Sequence, residues 1–145
     1  MNVADGPKFV DTNVLVYAFG SPTDPRQRVA NDLVETLWSE QTGCVSVQVL
    51  QELAVTLTRR LPRPIPAAEA AAIVSDLGVW TVHRPGSHDI VAALDLHDRY
   101  PLSFWDAMIV RSAAMLGCST LYSEDMQDDR AYEGVRVTNP FAGLA

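Results

Sequence analysis

Lysine is almost absent from this sequence of 145 residues, and its scarcity excludes two function classes. Lys8 is the only lysine, and no Gly-x-x-x-x-Gly-Lys-[Ser/Thr] segment occurs. A P-loop nucleotide hydrolase depends on that segment, and a phospho-acceptor receiver domain normally needs a lysine near its last strands. Because Lys8 precedes the first predicted strand, neither kind of protein fits the sequence.

Positive charge and cysteine are also scarce. The chain has 11 basic and 18 acidic residues, which gives a net charge of −7. A typical sequence-reading DNA binder is basic, so we do not expect unaided attraction to nucleic acid to dominate binding. The two cysteines, Cys44 and Cys118, are too few for a disulfide framework and form no Cys-x-x-Cys motif. We expect them to be small buried side chains in a reducing compartment.

Long apolar runs and a leader-like segment are missing as well. No stretch approaches the ~20 apolar residues that a membrane span needs. Residues 1–5 show neither a basic patch nor an apolar signal core. We therefore expect no membrane partner and a cytoplasmic location. The length and the 48% hydrophobic content are typical of one compact domain, so we expect a single domain over residues 1–145.

Short apolar runs alternate with longer helical patterns along the chain. The predicted strands cover residues 9–10, 44–46, 79–82, 119–122 and 135–138. The predicted helices cover residues 14–19, 24 or 25 to 40, 47–60, 67–77, 87 or 88 to 99, and 103–116, and a Gly-Ser-Pro break at 20–22 ends the first of them. This alternation predicts an α/β domain with helices on both faces of a mostly parallel sheet of four to five strands.

Four acidic residues from distant segments are predicted to meet at the carboxyl edge of this sheet, where sites form in α/β domains. Asp11 follows the first strand, which we expect to be central, and Asp125 follows the strand that ends at Tyr122. Glu52 lies on the helix after the second strand. Asp106 lies in the first turn of the helix before the fourth strand.

Asp106 is the most informative of the four. It shares a helix face with the apolar residues Ile109 and Val110. Burying a carboxylate costs several kcal/mol unless something compensates it, so a metal ligand is favoured at this position. Residues 103–106 also fit a capping box, and the two roles are compatible.

The other three acids have simpler interpretations too. Asp11 precedes a helix start and has the chemistry of a helix cap. Glu52 falls away from the apolar stripe of its helix and could face solvent. Asp125 has Asp128 and Asp129 close by, so the sequence does not single out one acid of this turn.

An acidic cluster of this kind has a definite chemistry. Carboxylates that are held together raise one another's pKa, and Mg²⁺ or Mn²⁺, which prefer oxygen ligands, remove that penalty. A bound metal can ionise water and stabilise the oxygens of a displacement at phosphorus, so no side-chain nucleophile is required.

The segments that carry these acids resemble the PIN-domain family, in particular the VapC-type toxins of bacteria and archaea. The matching segments are residues 9–17, 51–53, 103–109 and 121–126, and residues 137–141 resemble the usual end of these chains. The resemblance spans nearly the whole sequence, in order. It implies an αβα sandwich and an acidic quartet of Asp11, Glu52, Asp106 and Asp125 around Mg²⁺ or Mn²⁺.

The resemblance also implies supporting residues and partners. Thr12 or Asn13 and Ser123 match the polar residues that hold water or orient the acids. The implied function is a metal-dependent endoribonuclease, the toxin of a type II toxin–antitoxin pair, with an RNA substrate, a cognate antitoxin and usually a homodimer. The alternative is a catalytically idle PIN fold that serves as an RNA-binding or protein-interaction module.

Three further features allow more than one interpretation. Arg59 and Arg60 could hold RNA phosphates, although a solvated helix end fits them equally well. Trp105 could stack on a base, but beside a buried helix face it is predicted to belong to the core. The histidines at positions 83, 88 and 97 have no metal-ligand spacing, and surface or loop positions are expected for them.

Overall fold

Six strands form one sheet in the computed structural model, which describes residues 6–20 and 23–144. The strand order is β3-β2-β1-β4-β6-β5, and every neighbouring pair is parallel except β5 with β6. The strands are β1 (Lys8–Val10), β2 (Gly43–Ser46), β3 (Thr81–His83), β4 (Thr120–Tyr122), β5 (Ala131–Tyr132) and β6 (Val135–Thr138). The strand before Asp11 is therefore central, as predicted.

Within the described part of the chain, six α-helices lie between these strands. They are α1 (Thr12–Gly20), α2 (Pro25–Glu40), α3 (Val47–Val55), α4 (Ala67–Leu77), α5 (Ser87–Arg99) and α6 (Phe104–Met115). Helix α1 contacts α2 and α3, and α3 contacts α4, whereas α5 packs with α6. Both groups also contact the sheet, through α2 and α3 on one side and α6 on the other. This layering agrees with the predicted αβα sandwich. Residues 21 and 22 of the predicted helix break lie outside the described residues.

Local sequence explains where the helices begin. The side chain of Asp24 accepts from the backbone N–H of Arg26, and Pro25 occupies the first turn of α2, where its missing N–H costs nothing. Ser46 caps α3 by accepting from the N–H of Val49. Ser46 therefore turns the chain from β2 into α3, whereas Asp24 starts α2 after the end of α1.

The third helix ends differently from its prediction. The predicted helix over residues 47–60 is α-helical only to Val55, and Thr56–Arg60 form a π-helical turn. The N–H of Leu61 donates to the carbonyl of Thr56 at 3.2 Å, a wider ring than the α-helix has. The Leu57 side chain in this turn is fully buried, so the turn lies against the core.

The sheet also differs from its prediction at two places. Val79 and Trp80, predicted as strand, lie in a turn, because their N–H groups donate to the carbonyls of Asp76 and Leu77. The sixth strand, β5, is a two-residue strand that no pattern marks. It forms a hairpin with β6 through Glu133 and Gly134, whose φ angles of 52° and 82° are typical of a tight two-residue turn.

The core fills the space around β1 and β2. Phe9, Val10 and Val45 are completely buried, as expected for central parallel strands. Cys44 and Cys118 are both buried and free, as predicted. In the described part of the chain, no helix has the length and apolarity needed to cross a membrane.

Candidate active site

The site begins where β1 and β4 end side by side. Val10 is in register with Tyr122 across this parallel pair, so the next residues, Asp11 and Ser123, leave the sheet at the same edge. The N–H of Asp11 donates to the carbonyl of Tyr122 at 2.9 Å, which continues the ladder by one bond. The fold therefore brings together two residues that are 112 positions apart.

Asp11 is a buried carboxylate with donors on both oxygens. Oδ1 accepts from the N–H of Thr12 at 2.7 Å, and Oδ2 accepts from the Ser123 hydroxyl at 2.8 Å. The pKa of Asp11 is raised to about 7, mainly by burial; the charges of Asp106 and Glu52 add to the rise, and the hydrogen bonds from Ser123 and Thr12 partly offset it. The proton and the charge of Asp11 are thus closely balanced near neutral pH.

Asn13 and Ser123 connect Asp11 with the turn that carries Asp125. The Asn13 amide donates to Asp11 Oδ2 and to the Ser123 hydroxyl, each at 3.4 Å, and its Oδ1 accepts from the N–H of Glu124 at 3.1 Å. The Ser123 hydroxyl also accepts from the N–H of Asp125 at 3.3 Å. These hydrogen bonds hold the Asp11 carboxylate and the backbone of the turn that carries Asp125; the supporting role of Asn13 and Ser123 stays a prediction.

Glu52 lies on the exposed side of α3, as its helical position indicated. Its Oε1 accepts from the Thr12 hydroxyl at 3.4 Å and from the Gln48 amide at 3.1 Å. Because the charge of Glu52 acts on the pKa of Asp11, this carboxylate belongs to the same electrostatic cluster despite its exposure.

Asp106 lies in a capped first turn and on a buried helix face, the two structural features that the sequence suggested. Its N–H donates to the hydroxyl of the N-cap Ser103 at 3.1 Å, which is the helix-capping contact. Its carboxylate is half-buried, and burial, aided by the charge of Asp125, raises its pKa although a hydrogen bond from Ser103 lowers it. Ile109 and Val110 on the same helix face are buried.

The neighbours of Asp125 have other partners. Asp128 accepts from the N–H of Asn139 at 2.8 Å, and Asp129 pairs with Arg136 at 3.1 Å. Of these three acids, only Asp125 raises the pKa of Asp106 through its charge. This difference favours Asp125 as the fourth acid of the cluster.

The donor set suits a hard divalent cation, although the acids do not form a tight cage. Within residues 6–20 and 23–144, no group of three or more His, Cys, Asp or Glu side chains lies close enough together to hold one ion. Mg²⁺, however, is usually bound through one or two carboxylates and keeps several waters. The buried Asp11 carboxylate, with like charges of Glu52 and Asp106 acting on it, fits an ion held in that way.

Arg59 and Arg60 are not brought to the acids. Both are exposed in the π-helical turn after α3, and none of the contacts that the structure describes joins them to the acidic cluster. Their suggested contact with RNA phosphates remains a prediction.

Sequence reasoning missed a network that holds Glu124 beside the cluster. Glu124 Oε1 accepts from the Tyr17 hydroxyl at 2.9 Å, and Oε2 pairs with Arg26 at 2.9 Å. The Arg26 guanidinium also lies 4.5 Å from the centre of the Tyr17 ring. The two contacts of Glu124 join segments about 100 positions apart, so the local sequence pattern does not predict them.

Comparison with known families identifies the fold and its family. The family model described as the PIN domain matches residues 8–133, which is most of the chain. The chain belongs to the PIN-domain family. A comparison with curated proteins found no match.

Solved structures of PIN-like proteins resemble this chain over most of its length. A toxin–antitoxin complex from Klebsiella pneumoniae matches with a TM-score of 0.69 and 20% identity, covering 92% of this chain and 97% of the other. VapC20 of Mycobacterium tuberculosis, described as a toxin that cleaves the sarcin–ricin loop, matches with a TM-score of 0.63 and 28% identity, covering 81% and 89%. VapBC2 from Rickettsia felis, bound to a promoter DNA fragment, matches with a TM-score of 0.66 and 17% identity, covering 91% and 97%.

Proposed function

We propose that this PIN-family protein is a Mg²⁺- or Mn²⁺-dependent endoribonuclease and the toxin of a type II toxin–antitoxin pair. The observation that carries the proposal is the electrostatic linkage of four acids. The charges of Glu52 and Asp106 act on the buried Asp11, and the charge of Asp125 acts on Asp106. Such a like-charged group is unfavourable without a cation, and the similarity to VapC20 supports RNA as the substrate.

In this proposal the acids of the cluster hold the cation, and the neighbouring polar residues keep the acids in position. Asp11 and Asp106 would hold it most directly, with Glu52 and Asp125 completing the charge. When bound, the metal would supply activation of water and stabilisation of charge on the phosphate oxygens. Ser123 and Asn13 keep Asp11 oriented through their donors, and Thr12 does the same for Glu52.

The toxin role adds two partners to the proposal. The likeness to toxin–antitoxin complexes supports a cognate antitoxin, and we also propose a homodimer and a cytoplasmic location. An antitoxin arginine could enter the acidic cluster, pair with its carboxylates in bidentate fashion, and exclude both metal and RNA. Under this proposal the purified complex cleaves RNA more slowly than the free protein.

One substitution separates the ribonuclease from an idle PIN module. Asp106→Asn keeps an oxygen acceptor for the Ser103 contact but removes the charge, so the fold should survive. We expect single-turnover RNA cleavage at fixed Mn²⁺ to fall at least ~100-fold, because a metal ligand is lost. Asp98→Asn, at an exposed aspartate of α5, is the matched control and should cleave like the wild type.

The folding of both variants is checked by circular dichroism. A folded Asp106→Asn protein with near-full activity, or a wild-type protein that cleaves no RNA with Mn²⁺ and without antitoxin, would leave the idle RNA-binding or protein-interaction module as the better function.

A further inference from the structure

Trp105 is exposed beside the acidic cluster, contrary to its predicted place in the core. Its side chain is 63% exposed in the first turn of α6, immediately before Asp106. Single exposed apolar side chains are common on proteins and need no function. Whether the exposure of this indole has a function therefore depends on the other groups around it.

The indole lines an open cavity of about 380 Å³. The volume is within the range of about 300–1,000 Å³ that is usual for ligand pockets. The cavity lies between α3, the segment after β3, and α6, and its walls include Gln48, Gln51, Arg84, Pro85, Trp105 and Met108. A flat aromatic face is thus combined with two amide side chains and one guanidinium group.

Gln48 connects this cavity directly with the acids. Its amide donates to Glu52 Oε1 at 3.1 Å and to the backbone carbonyl of Trp105 at 3.3 Å. The same side chain therefore forms part of the cavity wall and holds a carboxylate of the cluster. Gln48 thus places the cavity directly beside the Glu52 carboxylate of the cluster.

The charge of the cavity is opposite to that of the cluster. Arg84 is exposed, and no acidic side chain of the described residues pairs with it in the structure. None of the described residues that line the cavity is acidic. In a chain with a net charge of −7, this is a local site for an anion such as a phosphate.

We propose that the cavity beside Trp105 is a subsite for one unpaired nucleobase next to the scissile phosphate of RNA. The inference rests on the proposed ribonuclease function. The base stacks on the Trp105 indole, the exposed amide of Gln51 contacts its edge, and Arg84 contacts the neighbouring backbone phosphate. Single-stranded RNA is recognised in general through bases that stack on aromatic side chains.

A peptide fits the same surface less well. A cationic segment drawn to the acidic cluster would meet Arg84 as a like charge at the cavity. The exposed amide of Gln51 has both donors and an acceptor, which suit the edge of a base, and the indole provides a face wide enough for its ring. The alternative occupant is an apolar protein segment, and the experiment below distinguishes it from a base.

The test measures RNA binding in an Asp11→Asn background, so that the RNA stays intact. The probes are short single-stranded RNAs of defined sequence, each with one abasic position moved along the strand. We expect Trp105→Ala to weaken binding of the intact RNA about 5- to 150-fold, the range of one base stacked on an aromatic side chain. We expect one abasic position to weaken binding to the parent protein and to have no further effect on Trp105→Ala.

Three further variants sharpen the result. Trp105→Phe keeps an aromatic face and should restore most of the affinity. Arg84→Ala should weaken binding and reduce its dependence on salt, because one phosphate contact is lost. Val91→Ala removes a comparably exposed apolar side chain from α5, 67% exposed, and should bind like the parent. With Asp11 restored, Trp105→Ala should raise KM for RNA more than it lowers kcat.

The outcomes separate this inference from the proposed function. RNA cleavage by the wild type together with binding that is indifferent to Trp105 and Arg84 would overturn the subsite alone. Unchanged RNA affinity with lost antitoxin binding in Trp105→Ala would overturn it in favour of a protein contact. No binding or cleavage of RNA by the wild type would overturn the ribonuclease function and the subsite together.

Discussion

The hydroxyl of Ser123 donates a 2.8 Å hydrogen bond to Oδ2 of Asp11, and both residues are buried. The bond joins the ends of two neighbouring parallel strands, β1 and β4. Because Ser123 donates to the carboxylate, it stabilises the charged form of Asp11, while burial favours the neutral form. Ser123 is therefore a positioning residue that also lowers the pKa of Asp11 against the larger effect of burial.

Ser123→Ala should weaken both metal binding and RNA cleavage. Removing the donor leaves Asp11 Oδ2 with only the weaker Asn13 contact at 3.4 Å, so the pKa of Asp11 should rise above its value of about 7. We expect a loss of about 10- to 100-fold in Mn²⁺ affinity or in cleavage, the usual range for partners of metal ligands. Calorimetric titration with Mn²⁺ and single-turnover cleavage provide the measurements.

Ser39→Ala is the control for this change, because Ser39 is an exposed serine on α2. It should leave both quantities unchanged. Equal Mn²⁺ affinity in Ser123→Ala and Ser39→Ala would show that the buried hydroxyl has no part in the site.

Metal affinity should rise with pH through neutrality. In the metal-free protein Asp11 has a pKa of about 7, above the usual value of about 3.9, so its protonated form is favoured by folding. The stability that this protonation provides is present below about pH 4 and is lost as pH rises through about 7. A divalent cation must displace that proton, so binding should strengthen by up to about tenfold per pH unit below 7 and then level off.

Calorimetry in two buffers with different ionisation enthalpies counts the protons released on Mn²⁺ binding. We expect Mn²⁺ binding to release close to one proton per site at pH 6 and almost none at pH 8. In Asp11→Asn the number of protons released should be the same at both pH values. Mn²⁺ affinity that stays constant over this pH range would contradict the assignment of Asp11 as a ligand.

Much of this site follows from the sequence because its residues stand at strand ends and helix starts. A buried apolar run identifies β1, and the end of that run gives the position of Asp11. The parallel order that follows from alternating helices and strands then brings the end of β4, with Ser123, to the same edge. Local pattern and chain order are sufficient for this part of the structure.

The remaining features depend on contacts that have no local pattern. The two residues of β5 are too few for an alternation of buried and exposed side chains. Trp105 lies one turn before the buried Met108 and Ile109, so the helix pattern predicted burial, yet no neighbouring element covers enough of its ring. His83, expected at the surface or in a loop, has a side chain that is only 11% exposed, because Asp89 of α5 and Ser112 of α6 lie beside its ring.

Asp125→Asn should affect the site more than the same change at its acidic neighbours. The charge of Asp125 acts on Asp106, whereas Asp128 holds the N–H of Asn139 and Asp129 pairs with Arg136. We expect at least a tenfold loss of cleavage or Mn²⁺ affinity for Asp125→Asn. Asp128→Asn and Asp129→Asn should stay within about twofold, the size of a typical surface effect.

All three variants carry the same chemical change in one turn, so each serves as a control for the others. Melting temperatures without metal identify any variant whose fold has changed. If Asp128→Asn or Asp129→Asn lowers Mn²⁺ affinity most, the fourth acid has been assigned to the wrong residue.

Stability in mild acid should depend on His83, which lies in a buried polar group away from the acidic cluster. Its Nδ1 contacts the Ser112 hydroxyl at 2.8 Å, and its Nε2 lies 3.6 Å from Asp89, which is buried and pairs with Arg111 at 2.9 Å. Burial, with the charge of Arg111, lowers the pKa of His83, although the charge of Asp89 raises it. Burial would also raise the pKa of Asp89, but hydrogen bonds from the N–H of Gly86 and from Arg111 hold it below its usual value.

The signs of these two shifts give separate pH ranges. A histidine with a lowered pKa is neutral in the folded protein, so its contribution is present above about pH 6.5 and is lost as pH falls toward its folded pKa. Asp89 acts only below about pH 4, where its own contribution is lost. The contribution of His83 to the free energy of unfolding should therefore fall as pH drops below about 6.5, with a slope of at most about 1.4 kcal/mol per pH unit for one proton.

Urea denaturation over this pH range measures the slope, and an Asp11→Asn background removes the opposite dependence that Asp11 contributes. In that background His83→Gln should flatten the dependence, because glutamine does not titrate while its amide still offers polar contacts to Ser112. His88→Gln is the control: His88 also lies near Asp89, at 3.4 Å, but its side chain is 70% exposed, so the slope should persist. A slope that survives His83→Gln unchanged would mean that protonation of another group destabilises the fold in this range, and that the side chains around His83 tolerate its charge.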